Sequence, residues 1–207
     1  MHIAVLAANG RSGKFFVEAA LEAGHKINAG VYGKSPFLKN DNLAVFECDA
    51  TNYEQVLQLL KGCDAVVSLI GHTKKSSATV QTDAIATALR AMHTLGIKRL
   101  VSLTGTGVRF NGDKITIIDR MLNFSIGIID PKRITDGKKH VELIKKSDAN
   151  WTIVRVLKLQ NTAPSPFILS SNGPTKPYVS RLDVAAAIIE VLEKNSFIRQ
   201  APVISNA

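Results

Sequence analysis

At 207 residues, 45% hydrophobic and 21% charged, the chain is long enough for one large domain or two small ones, with the composition of a soluble globular protein. Its net charge of +9 comes from scattered pairs (Lys74-Lys75, Lys132-Arg133, Lys138-Lys139, Lys145-Lys146) without interleaved aromatics, so no nucleic-acid partner is expected. No apolar run approaches the ~20 residues that span a bilayer, so no membrane partner is expected either.

The first apolar run, Ile3 to Leu6, reads as a strand and leads straight into a glycine loop rather than a signal-peptide cleavage site. Phe16 to Ala23 has helical spacing, and the loop between them is AANGRSGK. Two phosphate-holding loops compete for this stretch. A nucleoside-triphosphate loop needs glycine where Ala8 stands and a magnesium-binding hydroxyl where Phe15 stands, so that reading fails. The dinucleotide loop fits as Ala7-x-x-Gly10-x-x-Gly13, with alanine replacing only the first glycine. That replacement predicts a less tight turn. Unpaired amides at the helix start would receive a pyrophosphate.

Ile27 to Tyr32 reads as the second strand. Where an NAD-specific chain carries an acid at this strand's end, this one has Val31-Tyr32-Gly33-Lys34, and the nearest acid, Asp41, lies beyond a proline. Arg11 and Lys34 can supply positive charge to a ribose 2′-phosphate, and Tyr32 can cover the adenine face, which predicts a preference for NADPH over NADH. Ala44 to Cys48 is a third strand, followed by a helix with a capping box at Thr51-x-x-Glu54. The two cysteines, Cys48 and Cys63, are too few for a disulfide framework, so a reducing, cytoplasmic setting is expected; Cys63 has no metal-ligand partners at suitable spacing.

Asp64 to Ile70 is a continuous apolar strand of the kind buried on both faces of a parallel sheet. Gln81 to Leu95 is a helix closed by Gly96, and Arg99 to Leu103 a fifth strand ending in Thr104-Gly105-Thr106-Gly107. Ile115 to Ile129 reads as a helix, either core packing or a lid over an apolar acceptor. Lys138 to Lys146 is another helix, and Asn150 to Val156 a sixth strand. A proline-rich stretch then holds small strands at Phe167 to Ser171 and Tyr178 to Ser180, around Asn172-Gly173. A capping box at Ser180-Arg181-Leu182-Asp183 opens the helix Val184 to Leu192.

This alternation predicts an α/β fold: one doubly wound parallel sheet in a single domain, residues 1–207, with 147–180 forming much of the substrate side. Ligands then lie beyond the carboxyl ends of the strands, at Ala7 to Gly13, Tyr32 to Lys34, Asp49-Ala50, Ile70 to His72, Thr104 to Gly107 and Val156 to Lys158.

The loop AANGRSG resembles the GATGxxG of atypical short-chain dehydrogenase/reductases. The likeness continues through CDATN, SLIG, RLVSLTGTG and SRLDVA over nearly the whole chain. In size it is similar to the NAD(P)H-binding branch that holds NmrA-like regulators, NADH-flavin reductases and biliverdin-IXβ reductase. The resemblance implies a Rossmann fold with Ala8, Asn9, Gly10, Arg11, Ser12 and Gly13 on the pyrophosphate, and Asp49 and Ala50 at the adenine edge. It places Ile70 and Gly71 beneath the adenosine ribose and Thr104 and Gly105 near the nicotinamide. From spacing alone, Asp49 is a turn residue. Gly105 stands where many relatives carry a second hydroxyl, which leaves Thr104 as the catalytic candidate.

A typical short-chain dehydrogenase works through Tyr-x-x-x-Lys. Four residues after Tyr32, Tyr53 and Tyr178 come Pro36, Leu57 and Leu182, so the pair is missing. The expectation is an NAD(P)H-dependent reductase passing hydride to free FMN, FAD or a quinone, with flavin as substrate rather than prosthetic group. The alternative is a non-catalytic NmrA-like sensor of cofactor redox state that acts through a protein partner. His72 and His140 lie near the presumed cleft, but a solvated position is expected for His72 and a surface position is equally open for His140. No metal site is expected.

Overall fold

The computed structural model describes residues 1–206. Its chain alternates β1 (His2–Leu6), α1 (Gly13–Glu22), β2 (Lys26–Val31), β3 (Leu43–Glu47), α2 (Tyr53–Leu60), β4 (Ala65–Ser68), α3 (Val80–Leu95) and β5 (Arg99–Gly105). Then follow α4 (Ile117–Ile129), α5 (Pro131–Lys146), β6 (Asn150–Val156), β7 (Lys158–Gln160), β8 (Phe167–Ser170), β9 (Tyr178–Ser180), α6 (Arg181–Glu193) and β10 (Val203–Asn206). Eight strands form one sheet in the order β3-β2-β1-β4-β5-β6-β10-β8, parallel except where β8 runs against β10. The order reverses on either side of β1, the switch point where an open α/β sheet presents its crevice.

Alternation along β1 builds both halves of the core. Ile3 and Val5 face one way, onto Phe16, Val17 and Ala20 of α1 and the apolar side of α6. Ala4 and Leu6 face the other way, among side chains of α2, α3 and α5. A period of two along the strand is enough to cover the sheet on both sides with helices.

Several details differ from the sequence expectations. The cap of α2 is Asn52, whose side chain accepts from the Gln55 amide, so Thr51 and Glu54 form no capping box. Ser180 caps α6 by accepting from the Leu182 amide, while the Asp183 carboxylate turns away to the Ser165 amide and hydroxyl. The strands β8 and β9 exist but form no hairpin: β8 pairs with β10, and β9 pairs in parallel with β7. Neither β7 nor β10 shows in the sequence, because each is short and takes its pairing from a distant segment. Helix α5 begins at Pro131, seven residues before the expected start, since Asp130 caps it and proline suits a first helical turn.

Candidate functional site

All the strand ends named by the sequence meet along one edge of the sheet, because β1 through β6 run parallel. At the β1 end, the Gly10 amide donates to the Ala7 carbonyl at 2.9 Å and closes a tight turn. Ala7 holds φ of 59°, the left-handed backbone a glycine would take there. The loop is therefore as tight as a glycine loop, contrary to the looser turn expected, and the alanine carries the strain. Gly13 is required by close packing, since a Cβ there would lie 2.2 Å from the Ala7 oxygen and 2.5 Å from that of Ala8.

Ala8 is buried and gives its amide to the Gly30 carbonyl at 2.9 Å, so it holds the loop rather than offering a donor. Asn9 is a strut: its Nδ2 donates to the carbonyls of Tyr32 (2.9 Å) and Lys34 (3.4 Å). Among the described residues, no hydrogen bond takes up the amides of Arg11, Ser12 and Gly13, and α1 has no acid in its first turn. Three free amides at a helix amino terminus make an anion cradle.

At the β2 end, Tyr32 and Lys34 are exposed on either side of Gly33, whose φ of 80° turns the chain. The register pairs Val31 with Glu47, so an exposed carboxylate stands one strand away from this end. Sequence distance hid that neighbour. Asp49 lies just beyond β3, and its Oδ1 accepts from the amide and hydroxyl of Thr51 at 2.9 and 2.7 Å. Its own amide donates to Gln55, which makes it the turn residue that spacing alone indicated. Ala50 is half-buried beside it. Burial, aided by the charge of Asp49, pushes the Cys48 thiol up to about 11; burial and Asp64 push Cys63 up to about 12. Neither is a thiolate at neutral pH.

At the β4 end, the Ile70 carbonyl accepts from Gln81 Nε2 at 2.9 Å, and a Cβ added to the exposed Gly71 would meet nothing within 4 Å. At the β5 end, Thr104 is buried, yet its hydroxyl has no hydrogen-bond partner among the described residues. Gly105 is exposed and offers no second hydroxyl. Thr106, by contrast, donates to Asp119 Oδ1 at 2.9 Å, and Arg109 joins the same carboxylate at 2.6 Å. Buried Arg155 on β6 clasps Asp113 through its two terminal guanidinium nitrogens, at 2.6 and 2.8 Å, and covers the Phe110 ring. These two ion pairs fix the loop between β5 and α4.

The histidines are the main departure. The His72 side chain is buried rather than solvated, with Nε2 2.9 Å from Asp136 Oδ2. That carboxylate also takes the amides of Gln81 and Thr82 and the Thr82 hydroxyl. His140, also buried, sits between Ser102 Oγ (3.0 Å) and the Gly137 carbonyl (3.1 Å). Burial pushes its imidazole below the usual range, outweighing the Gly137 hydrogen bond and the charge of Asp136, which act upward. The i, i+4 spacing of Asp136 and His140 was the available signal, masked by the surrounding lysines.

Arg11 lines a cavity of about 500 Å³ together with His72, Lys74, Asp130, Lys132 and Arg133. Lys34 is not among its walls. Arg181, which the sequence reading passed over as part of a capping box, opens α6 beside α1 and is 8% exposed. Its Nη1 donates to Asn161 Oδ1 at 2.5 Å, and its buried Nε has no partner among the described residues. Burial, and after it the positive charge of Arg11, hold this guanidinium below its usual range. The charge of Arg11 thus acts on a buried guanidinium, a setting that an anion relieves.

One lysine does lie near a tyrosine. Lys158 and Tyr178 are register partners across β7 and β9, but Nζ sits 5.2 Å from the ring centroid, over the face rather than at the hydroxyl. Among the described residues, no group of three histidine, cysteine or acidic side chains could hold a metal ion.

The model of a family described as NAD(P)H-binding matches residues 7–195. A comparison with curated proteins finds no match. Among solved structures, a short-chain dehydrogenase/reductase from Veillonella parvula in complex with NADP is 19% identical, with a TM-score of 0.80 over 99% of this chain and 94% of that one. An oxidoreductase from Lactococcus lactis is 16% identical at a TM-score of 0.82, covering 100% and 91% of the two chains. A candidate NADH-flavin reductase from Streptococcus pneumoniae is 20% identical at 0.80 over the whole of both. Identities this low establish the shared fold.

Proposed function

Because this chain belongs to the NAD(P)H-binding family, we propose that it is a reductase that takes NADPH in preference to NADH and passes hydride to free flavin or a similar planar conjugated acceptor. The observation that carries this reading is the pairing, on one sheet edge, of three unbonded loop amides with the unbonded hydroxyl of Thr104. The residues fit the cofactor: Gly13 leaves no room for a side chain behind the cradle, and Gly71 leaves open space where a ribose would rest.

The dinucleotide supplies the hydride when bound. The amides of Arg11, Ser12 and Gly13, backed by the start of α1, hold its pyrophosphate. Arg11 and Arg181 add positive charge there, Lys34 serves the 2′-phosphate, and Tyr32 covers the adenine. Asp49 and Ala50 border the adenine pocket, Ile70 and Gly71 floor the ribose, and Thr104 with Gly105 adjoins the nicotinamide. Orientation of the two planar rings is the main service the chain performs.

No protein acid is needed if the acceptor has its own electron sink. Asp136 is saturated with donors, and His140 is kept neutral and tied at both nitrogens. The same saturation also suits the rival reading, a redox sensor that binds cofactor and a protein partner without turnover. Steady-state oxidation of NADPH against FMN, FAD and quinones separates the two. Turnover on any of these supports the reductase; tight NADPH binding with no turnover on all of them supports the sensor.

A further inference from the structure

Helix α4 is built inside out. Its one fully buried side chain is the charged Asp119, held by Thr106, Arg109 and Asn123. Its large apolar side chains face solvent: Ile117 is 79% exposed, Met121 64%, Phe124 70% and Ile128 67%. Steps of four, three and four residues put these on a single stripe, which Ile118 and Ile129 widen. An apolar stripe of this size on an isolated chain marks a surface that something covers.

The charges around the stripe indicate what covers it. From Lys114 to Lys139 the exposed cations are Lys114, Arg120, Lys132, Arg133, Lys138 and Lys139. Of the acids in that span, Asp119 and Asp136 are buried and Asp130 is held by Arg133. The segment that carries the stripe thus presents more exposed cations than acids, and its one partly exposed carboxylate, Asp130, is already paired with Arg133. A second copy seated on it across a two-fold axis would set like charge against like. An anionic lipid surface complements both parts, with acyl chains for the stripe and headgroups for the cations.

We propose that α4 docks this protein in the plane of an anionic lipid bilayer surface, its stripe sunk at the headgroup boundary. This departs from the sequence expectation of no membrane partner, which concerned only runs long enough to span. It stands independently of the reaction proposed above.

Flotation with vesicles of phosphatidylcholine alone, and with vesicles in which a third of the lipid is phosphatidylserine, tests the proposal. The protein is expected to float with the second kind and to be released by high salt. Phe124→Ser combined with Ile128→Ser should lower the bound fraction about tenfold or more, and so should Arg120→Glu. These positions are exposed, and thermal melts check that each variant is folded. Failure to float with either vesicle, or equal flotation with both, overturns the proposal. So does a dimer that sediments as monomer in the Phe124→Ser, Ile128→Ser variant while vesicle binding is absent; the stripe would then belong to a second copy.

Discussion

The carbonyl oxygen of Ala7 lies 2.2 Å from the point where a Cβ on Gly13 would stand. Backbone meets backbone there, so no side-chain adjustment can make room. Gly13→Ala should therefore cost about 3 kcal/mol of stability and displace the free amides that follow the turn. Ala7→Gly should do the opposite. A left-handed alanine costs roughly 1–2 kcal/mol, while glycine's extra freedom in the unfolded chain returns about 0.4–1 kcal/mol of that. A net gain of about 0.5–1 kcal/mol is expected in urea unfolding. A loss would show that Ala7 is not strained.

Thr104 carries an unbonded hydroxyl at the end of β5, where we propose that the nicotinamide lies. Thr104→Val keeps the shape and removes the oxygen. It should lower kcat about tenfold while leaving the NADPH dissociation constant within about twofold. An equal loss in both would make Thr104 a binding residue only.

Cofactor preference should follow the charges at the end of β2. Lys34→Ala should narrow the NADPH-over-NADH gap by about tenfold, from a charge-assisted contact worth roughly 1.5–3 kcal/mol. Glu47→Gln should widen it, because that carboxylate stands beside Val31 and opposes a 2′-phosphate. Arg11→Ala should weaken NADPH and NADH alike if Arg11 serves the pyrophosphate that both cofactors share. Equal dissociation constants for the two cofactors in the unaltered protein, at one low salt concentration, would show the preference to be wrong.

His140 sets a pH dependence. Its folded pKa is pushed below the unfolded value of about 6.5, chiefly by burial. As pH falls, the unfolded chain therefore takes up the proton first. Stability from this group should be complete above about pH 6.5 and decline below it, by at most about 1.4 kcal/mol per pH unit, until the folded pKa is passed. His140→Gln should flatten that part of the urea-midpoint profile. An unchanged slope would assign it to another group.

Asp113 works in the other direction. Burial alone would raise its carboxyl, but hydrogen bonds from Arg155 and the Phe110 amide, with the charges of Arg155 and Arg109, prevail and hold it below the usual range. Its stabilisation is present above the unfolded carboxylate value of about 3.9 and is lost as pH falls through the lower folded one. Asp113→Asn should cost about 3–5 kcal/mol at neutral pH, because it leaves Arg155 buried without its counter-charge. A cost below about 1 kcal/mol would mean that water reaches the guanidinium.

The sequence by itself determined the order of the helices and of strands β1 to β6, because each carries its own period: continuous apolar runs at β4 and β5, helical spacing at α3. It also determined the glycine loop, since Gly10 and Gly13 are fixed by a turn only seven residues long. The sheet was legible for that reason. What the sequence left open depends on residues far apart in the chain. Glu47 meets Val31, His72 meets Asp136 across 64 residues, and Arg155 meets Asp113 across 42. Helix α4 shows the limit most plainly: its apolar periodicity names a face but not a direction. Only tertiary structure, by holding Asp119 against the buried Thr106 beyond β5 and the Arg109 guanidinium, could turn that face toward solvent.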